Sequence, residues 1–157
     1  MTRLHWFRLV VAVAALLAPA AHLLEMPNKL MLDGPLWLAV QHHLYRGWGP
    51  LFGGPVEILA LVLSLYALVR GQDDRRLTLR ATACYAAMLA VFFLFNAPAN
   101  AALNGWTAAT LPVDWTWWRL RWEIGHALAF LAAAMAWYAV TRTCLTAVRR
   151  SIAVPGA

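Results

Sequence analysis

Thiols, charges and repeats are all scarce in this chain, and each scarcity removes a class of protein. Only Cys84 and Cys144 are present, without the paired spacing of a thiolate metal site, and both fall near the same end of their apolar runs, so a disulfide framework is excluded. Charged residues make up 13% of the sequence and hydrophobic ones 62%, with a mean hydropathy of +0.60, which excludes an ordinary soluble domain. No internal repeat or low-complexity segment interrupts the 157 residues, and one domain over 1–157 is expected. A formal charge of +6 would permit nucleic acid as a partner, but the basic residues form no patch interleaved with base-stacking aromatics. Nucleic acid is therefore not expected.

What is present is long apolar sequence. Runs at about Leu9–Leu24, Val56–Val69, Ala81–Ala97 and Ile124–Val140 approach the ~20 residues needed to cross a hydrocarbon core, and their flanks extend them. The reading is all-α, an integral membrane four-helix bundle with the lipid bilayer as its main partner and spans near 6–26, 54–70, 79–99 and 116–141. Arg3, Arg8, Arg70, Arg75, Arg76, Arg80, Arg142, Arg149 and Arg150 flank one side, against Lys29, Arg46, Arg119 and Arg121 on the other. The positive-inside rule then places both termini in the cytosol. A single Lys among thirteen basic residues, with abundant Ala, suggests a high-GC bacterial source and hence the inner membrane. Ala18-Pro19-Ala20 resembles a signal-peptidase site, yet apolar sequence continues to Leu24, so an uncleaved span is expected.

Between the first two spans, Gly34-Pro35 can start a helix and Gly47 can end it. This short interfacial helix, about 35–46, should lie on the outer side or dip into it, with His42 and His43 facing solvent. The turn from Arg70 to Arg80 reads as a solvated inner hairpin, and Asp114 as the N-cap of the last helix. Trp115, Trp117, Trp118 and Trp122 concentrate on the outer side, mainly as an interfacial belt.

The functional signal is polar and sits at one depth. At ~1.5 Å per residue, His22 stands about 21 Å above Arg8, Glu57 about 20 Å above Arg70, Asn96 about 24 Å above Arg80 and His126 about 24 Å above Arg142. Groups of this kind within a membrane are costly unless they meet one another, so convergence marks a candidate site. The inner halves hold little beyond Ser64, Tyr66, Thr82 and Tyr85, which argues against a continuous transport path. His22-x-x-Glu25 and Glu123-x-x-His126 each place an imidazole and a carboxylate on one helical face. With Glu57 they form a candidate metal set of His22, Glu25, Glu57, Glu123 and His126, akin to four-helix di-metal carboxylate proteins, although the third span offers Asn and the first pair is reversed. Ordinary alternatives exist: an Arg119–Glu123 ion pair, Glu57 complementing a helix dipole, and Asn96 or Asn100 satisfying backbone freed by Pro98.

The segments HLLEMPNKL from His22, QHHLYRGWGP from Gln41, NAPANAALNGW from Asn96 and WWRLRWEIGHA from Trp117 together resemble the small four-span membrane proteins grouped with anthrone oxygenases. The resemblance covers most of the chain. It implies oxidation of a phenolic anthrone by O₂ with no evident organic cofactor, the metal ion being the alternative. In that chemistry a histidine, His126 or His22, removes the ring-methylene proton, and Glu25, Glu57 or Glu123 orients an imidazole. Asn96, Asn100 and Arg119 would hold the anion, Trp118 and Trp122 would pack on a flat hydrophobic ligand, and Gln41 and Tyr45 of the short helix would complete the pocket. A noncatalytic accessory bundle, in which the same residues only fix packing, is the remaining reading.

Overall fold

The computed structural model describes residues 2–71 and 73–153, and the side chain of Arg150, counted above with the inner charges, lies outside that described set. All regular structure among the described residues is helical. Helix α1 spans Arg3–Leu30, opened by Thr2, whose side chain accepts from His5 N while the His5 ring accepts from Thr2 N. A short α2, Gly34–Ala39, is capped by Asp33, whose carboxylate accepts from Leu36 N at 2.9 Å. It runs on as a π turn over Val40–Leu44. The chain then bends at Gly47, where φ is +83°, a conformation open to glycine without steric cost. A second π turn, Gly49–Gly53, leads into α3, Gly54–Arg70.

Gly71 ends α3 in the left-handed conformation, and Asp74 caps α4, Arg75–Val91. A π turn over Phe92–Asn96 joins α4 to α5, Ala97–Leu103, and α6, Trp115–Ala153, closes the fold. Four helical stretches are long and apolar enough to cross a membrane, the second and third combining α2 with α3 and α4 with α5. The protein is an integral membrane four-helix bundle. The helices run past the spans expected from hydropathy because capping and charge, rather than apolarity, set where they stop.

Each long helix packs antiparallel on its neighbours, α1 on α3 and α6, and α4 on α3 and α6. Small residues line the seams: Ala12 and Ala15, Ala60, Ala81, then Ala132, Ala133, Ala136 and Ala139 are all buried. Without a Cβ branch, backbones approach closely, which is how helices associate where lipid is as apolar as the side chains.

Contacts define the two ends. At one, Asp73 pairs with Arg8 and its Oδ1 lies 2.9 Å from His5 Nε2, while Cys144 Sγ donates to His5 O at 3.6 Å. This end carries the start of α1, the α3–α4 turn and the last part of α6. The turn is thus more than the solvated hairpin expected: Asp73 is drawn inward because Arg8 is buried and needs a counter-charge. At the far end, α2 does not lie loosely on the surface. Its Trp37 is 0% exposed and packs with Leu38, Tyr45, Ala99, Leu103 and Trp122 in a second core. α6 begins directly after Asp114, the N-cap position expected, and its first backbone bonds are Trp115 N to Pro112 O at 3.2 Å and Trp117 N to Asp114 O at 2.9 Å.

Candidate functional site

Bundle topology brings the far-end portions of α1, α4–α5 and α6 together beneath the α2 cover, so the polar residues of three spans meet. His22, 4% exposed, faces His126 with ring centroids 4.1 Å apart. Around the pair stand Trp122, 4.8 Å from His22 and 4.0 Å from His126, then Tyr45 and Trp48, 4.6 and 5.8 Å from His22. Two imidazoles thus share an aromatic enclosure within the protein.

His126 is fixed through one nitrogen. Its Nδ1 lies 2.9 Å from Trp122 O and 2.8 Å from Asn96 Nδ2, which itself donates to Trp122 O at 3.0 Å. No hydrogen bond among the described residues reaches Nε2, so the ring is oriented with that atom free. The Asn96 amide fits here only because residue 125 is glycine: a Cβ there would stand 2.5 Å from Asn96 Oδ1 and 2.8 Å from its Cγ. Gly125 was not singled out in the sequence, although its place between Glu123 and His126 was visible.

Lys29 is the larger surprise. Counted as a topology marker, it is 3% exposed, and its ammonium stands 3.1 Å from Glu123 Oε2 and 4.0 Å from Glu25 Oε2. It lies 4.7 Å from the Trp122 ring centre and 5.4 Å from that of Tyr45, within cation–π range. Glu123 is 0% exposed. Glu25 is 42% exposed at its side chain and accepts from Tyr45 Oη. His22, Glu25 and Lys29 are three and four residues apart, one helical face, and that spacing is the signal by which Lys29 could have been found.

The other candidates fall around this core in different ways. Arg119 does not pair with Glu123 as expected, since its Nη1 donates to Lys29 O at 3.3 Å and Leu32 O at 2.9 Å, closing the open carbonyls at the end of α1. Asn100 Oδ1 accepts from Trp122 Nε1 at 2.9 Å. Pro98 removes the amide donor for the carbonyl four residues back, and Arg121 Nη2 supplies one to Leu94 O at 2.5 Å, a task expected of Asn96 or Asn100. His42 is not solvent-facing: its Nε2 lies 3.0 Å from Leu103 O and ties the π turn that follows α2 to α5. Gln41 is half-buried with Nε2 unpartnered. Trp122 is buried in the second core, and Trp118, half-buried, packs against that core beside Trp106 and Trp117.

Glu57 stays apart, with no hydrogen bond or ion pair to the cluster among the described residues. Among those residues no three His, Cys, Asp or Glu side chains converge as a metal-binding group. No family model, curated protein or solved structure matches this chain, so chemical meaning rests on the geometry itself. Held within protein and bilayer, the His22–His126 pair can accept a proton at an unbonded ring nitrogen, beside a fixed positive charge at Lys29. That combination suits proton abstraction from an apolar carbon acid.

Proposed function

We propose that this protein is a membrane oxidoreductase, resembling the anthrone oxygenases, that oxidises a hydrophobic phenolic substrate with O₂. One observation carries the reading: two adjacent imidazoles enclosed by Trp122, Tyr45 and Trp48, His126 with Nε2 and His22 with Nδ1 lacking a hydrogen-bond partner among the described residues. An imidazole removes the ring-methylene proton, and the electron-rich carbanion reacts directly with O₂. The balance is anthrone plus O₂ giving anthraquinone plus water. A positioned base of this kind is worth ~10²–10⁴-fold in rate. The site faces outward, with both termini in the cytosol of a bacterial cell, a reading supported by the nine arginines on the terminal side.

The test uses the full chain in mild detergent with 1,8-dihydroxyanthrone in air-saturated buffer, following anthraquinone absorbance and O₂ uptake together. Wild type should exceed the detergent blank with one O₂ consumed per anthrone, and His126→Gln should lose at least about tenfold of the excess. A rate equal to the blank sinks the proposal. Stoichiometric metal in protein purified without chelators, lost in both His126→Ala and Glu123→Gln, would instead support metal-assisted chemistry by the His/Glu set.

A second reading has its own support. Asn96, Arg119 and Arg121 bond to backbone carbonyls of neighbouring helices, which is what a noncatalytic accessory bundle would use to lock its packing. Under it, His126→Gln lowers stability and leaves no activity to lose.

A further inference from the structure

Taking a proton from the methylene of an anthrone moves the freed electron pair onto the ketone oxygen, which therefore needs a donor when charge develops. Asn96, Asn100 and Arg119 are the donors the sequence brings to mind: Asn96 and the Nη1 of Arg119 are engaged elsewhere, and the Arg119 Nε, though buried without a partner, belongs to a guanidinium packed over Trp115 rather than over Trp122. Asn96 Nδ2 faces Trp122 O and His126 Nδ1, Arg119 holds the end of α1, and Asn100 is bound to the indole of Trp122 rather than to the histidine rings.

Lys29 is different. Its buried ammonium pairs with Glu123 at 3.1 Å, and Glu25 stands at 4.0 Å; one close acceptor does not saturate three N–H donors. It lies over Trp122, the ring that also contacts both imidazoles. Base and cation thus share one aromatic surface.

We propose that Lys29 is a catalytic residue that binds the substrate's ketone oxygen and holds the oxyanion that forms there. The proposal rests on the oxidoreductase reading above. The methylene proton passes to an imidazole, the C–H electron pair delocalises onto the ketone oxygen, and a Lys29 N–H holds that oxyanion. Lys29 gives up no proton, because Glu123 remains its counter-ion.

The probe is 1,8-dihydroxyanthraquinone, an unreactive diketone, whose binding is read from its visible band and from tryptophan quenching, alongside turnover of 1,8-dihydroxyanthrone. Lys29→Met leaves Glu123 unbalanced, so Lys29→Met/Glu123→Gln, which removes both charges, is measured with it and checked for a folded, monodisperse state. In the folded Met variants the dye should bind at least about tenfold more weakly without its band shift, and kcat should fall ~10²–10³-fold, as for loss of one oxyanion donor. Lys29→Arg should keep the shift. A folded double variant with wild-type dye affinity and band shift overturns the proposal. If wild type oxidises anthrone and Lys29→Met does so equally well, the Lys29 assignment falls and the oxidoreductase reading stands. If the dye shift depends on Lys29 while anthrone reacts only at the blank rate, the reading falls and the ketone site stands.

Discussion

Breaking the Lys29–Glu123 pair should destabilise the bundle far more than removing it whole. At the observed separation of 3.1 Å and an effective dielectric constant near 20, the attraction is about 5 kcal/mol. Removing one partner leaves the other as an uncompensated charge in a site that excludes water, a loss of ~3–5 kcal/mol. Removing both also removes the desolvation that opposed the pair, so Lys29→Met/Glu123→Gln should cost far less than the sum of the single changes.

The assay is a double-mutant cycle by equilibrium unfolding with a denaturing detergent in mild micelles, read by circular dichroism. A coupling of ~3 kcal/mol or more is expected, well beyond the ~0.6 kcal/mol average of interhelical hydrogen bonds in membranes. The bond from Trp122 Nε1 to Asn100 provides the internal comparison. Glu25→Gln should be mild, since an ion at 4.0 Å with a side chain 42% exposed is largely screened by solvent. Additivity of the two single changes within about 0.5 kcal/mol would refute the buried-pair argument.

Gly125→Ala should push a methyl into the Asn96 amide; a loss of ~1–3 kcal/mol is expected for such overpacking, and histidine ¹⁵N spectra should show Nδ1 of His126 released, whereas unchanged spectra and stability would contradict the fit. Arg121→Leu should cost ~1–3 kcal/mol by orphaning Leu94 O, and Pro98→Ala, which restores an amide donor, should make the same Arg121 change nearly neutral in thermal unfolding; an equal cost in both backgrounds would show that Arg121 does not stand in for the missing amide.

The spans were legible because apolar run length needs no partner to interpret, and the common depth of His22, Asn96 and His126 followed from rise per residue alone, which set Glu57 at that level too although no hydrogen bond or ion pair among the described residues joins it to the cluster. Gly47 and Gly71 were legible as chain reversals, and both take positive φ. What escaped was pairing at long range. Counting cations by loop made Lys29 one of four outer charges, whereas its neighbours on the α1 face make it the counter-charge of Glu123, ninety-four residues away. Arg121 and Leu94, and Asp73 and Arg8, are likewise matched by helix packing that no local pattern encodes. Trp122 was named both in the belt and as a ring against the ligand, because interfacial enrichment does not say which face of a helix turns inward; its place one turn before His126 points to the inward one.

Whether the far end is a reaction site or only a fastening turns on what its polar groups leave unspent. In a membrane interior a fastening closes on itself, since each open donor or acceptor costs free energy that lipid cannot return. The triangle of Asn96, His126 and the Trp122 carbonyl is closed in this sense, and so is the contact of Arg121 with Leu94. The layer beside it is less closed: His22 Nδ1, Trp37 Nε1, Gln41 Nε2 and Arg119 Nε are buried without a hydrogen-bond partner, and Lys29 and Glu123 have one another and Glu25 within ion-pair range. At the opposite end Arg8 also has unpartnered nitrogens, but there one guanidinium arm is bound to Asp73. Apart from those Arg8 nitrogens and Thr141 Oγ1, the buried side-chain groups without a hydrogen-bond partner among the described residues gather at this end, which is the distribution that a site for an added polar group would leave and a pure fastening would not.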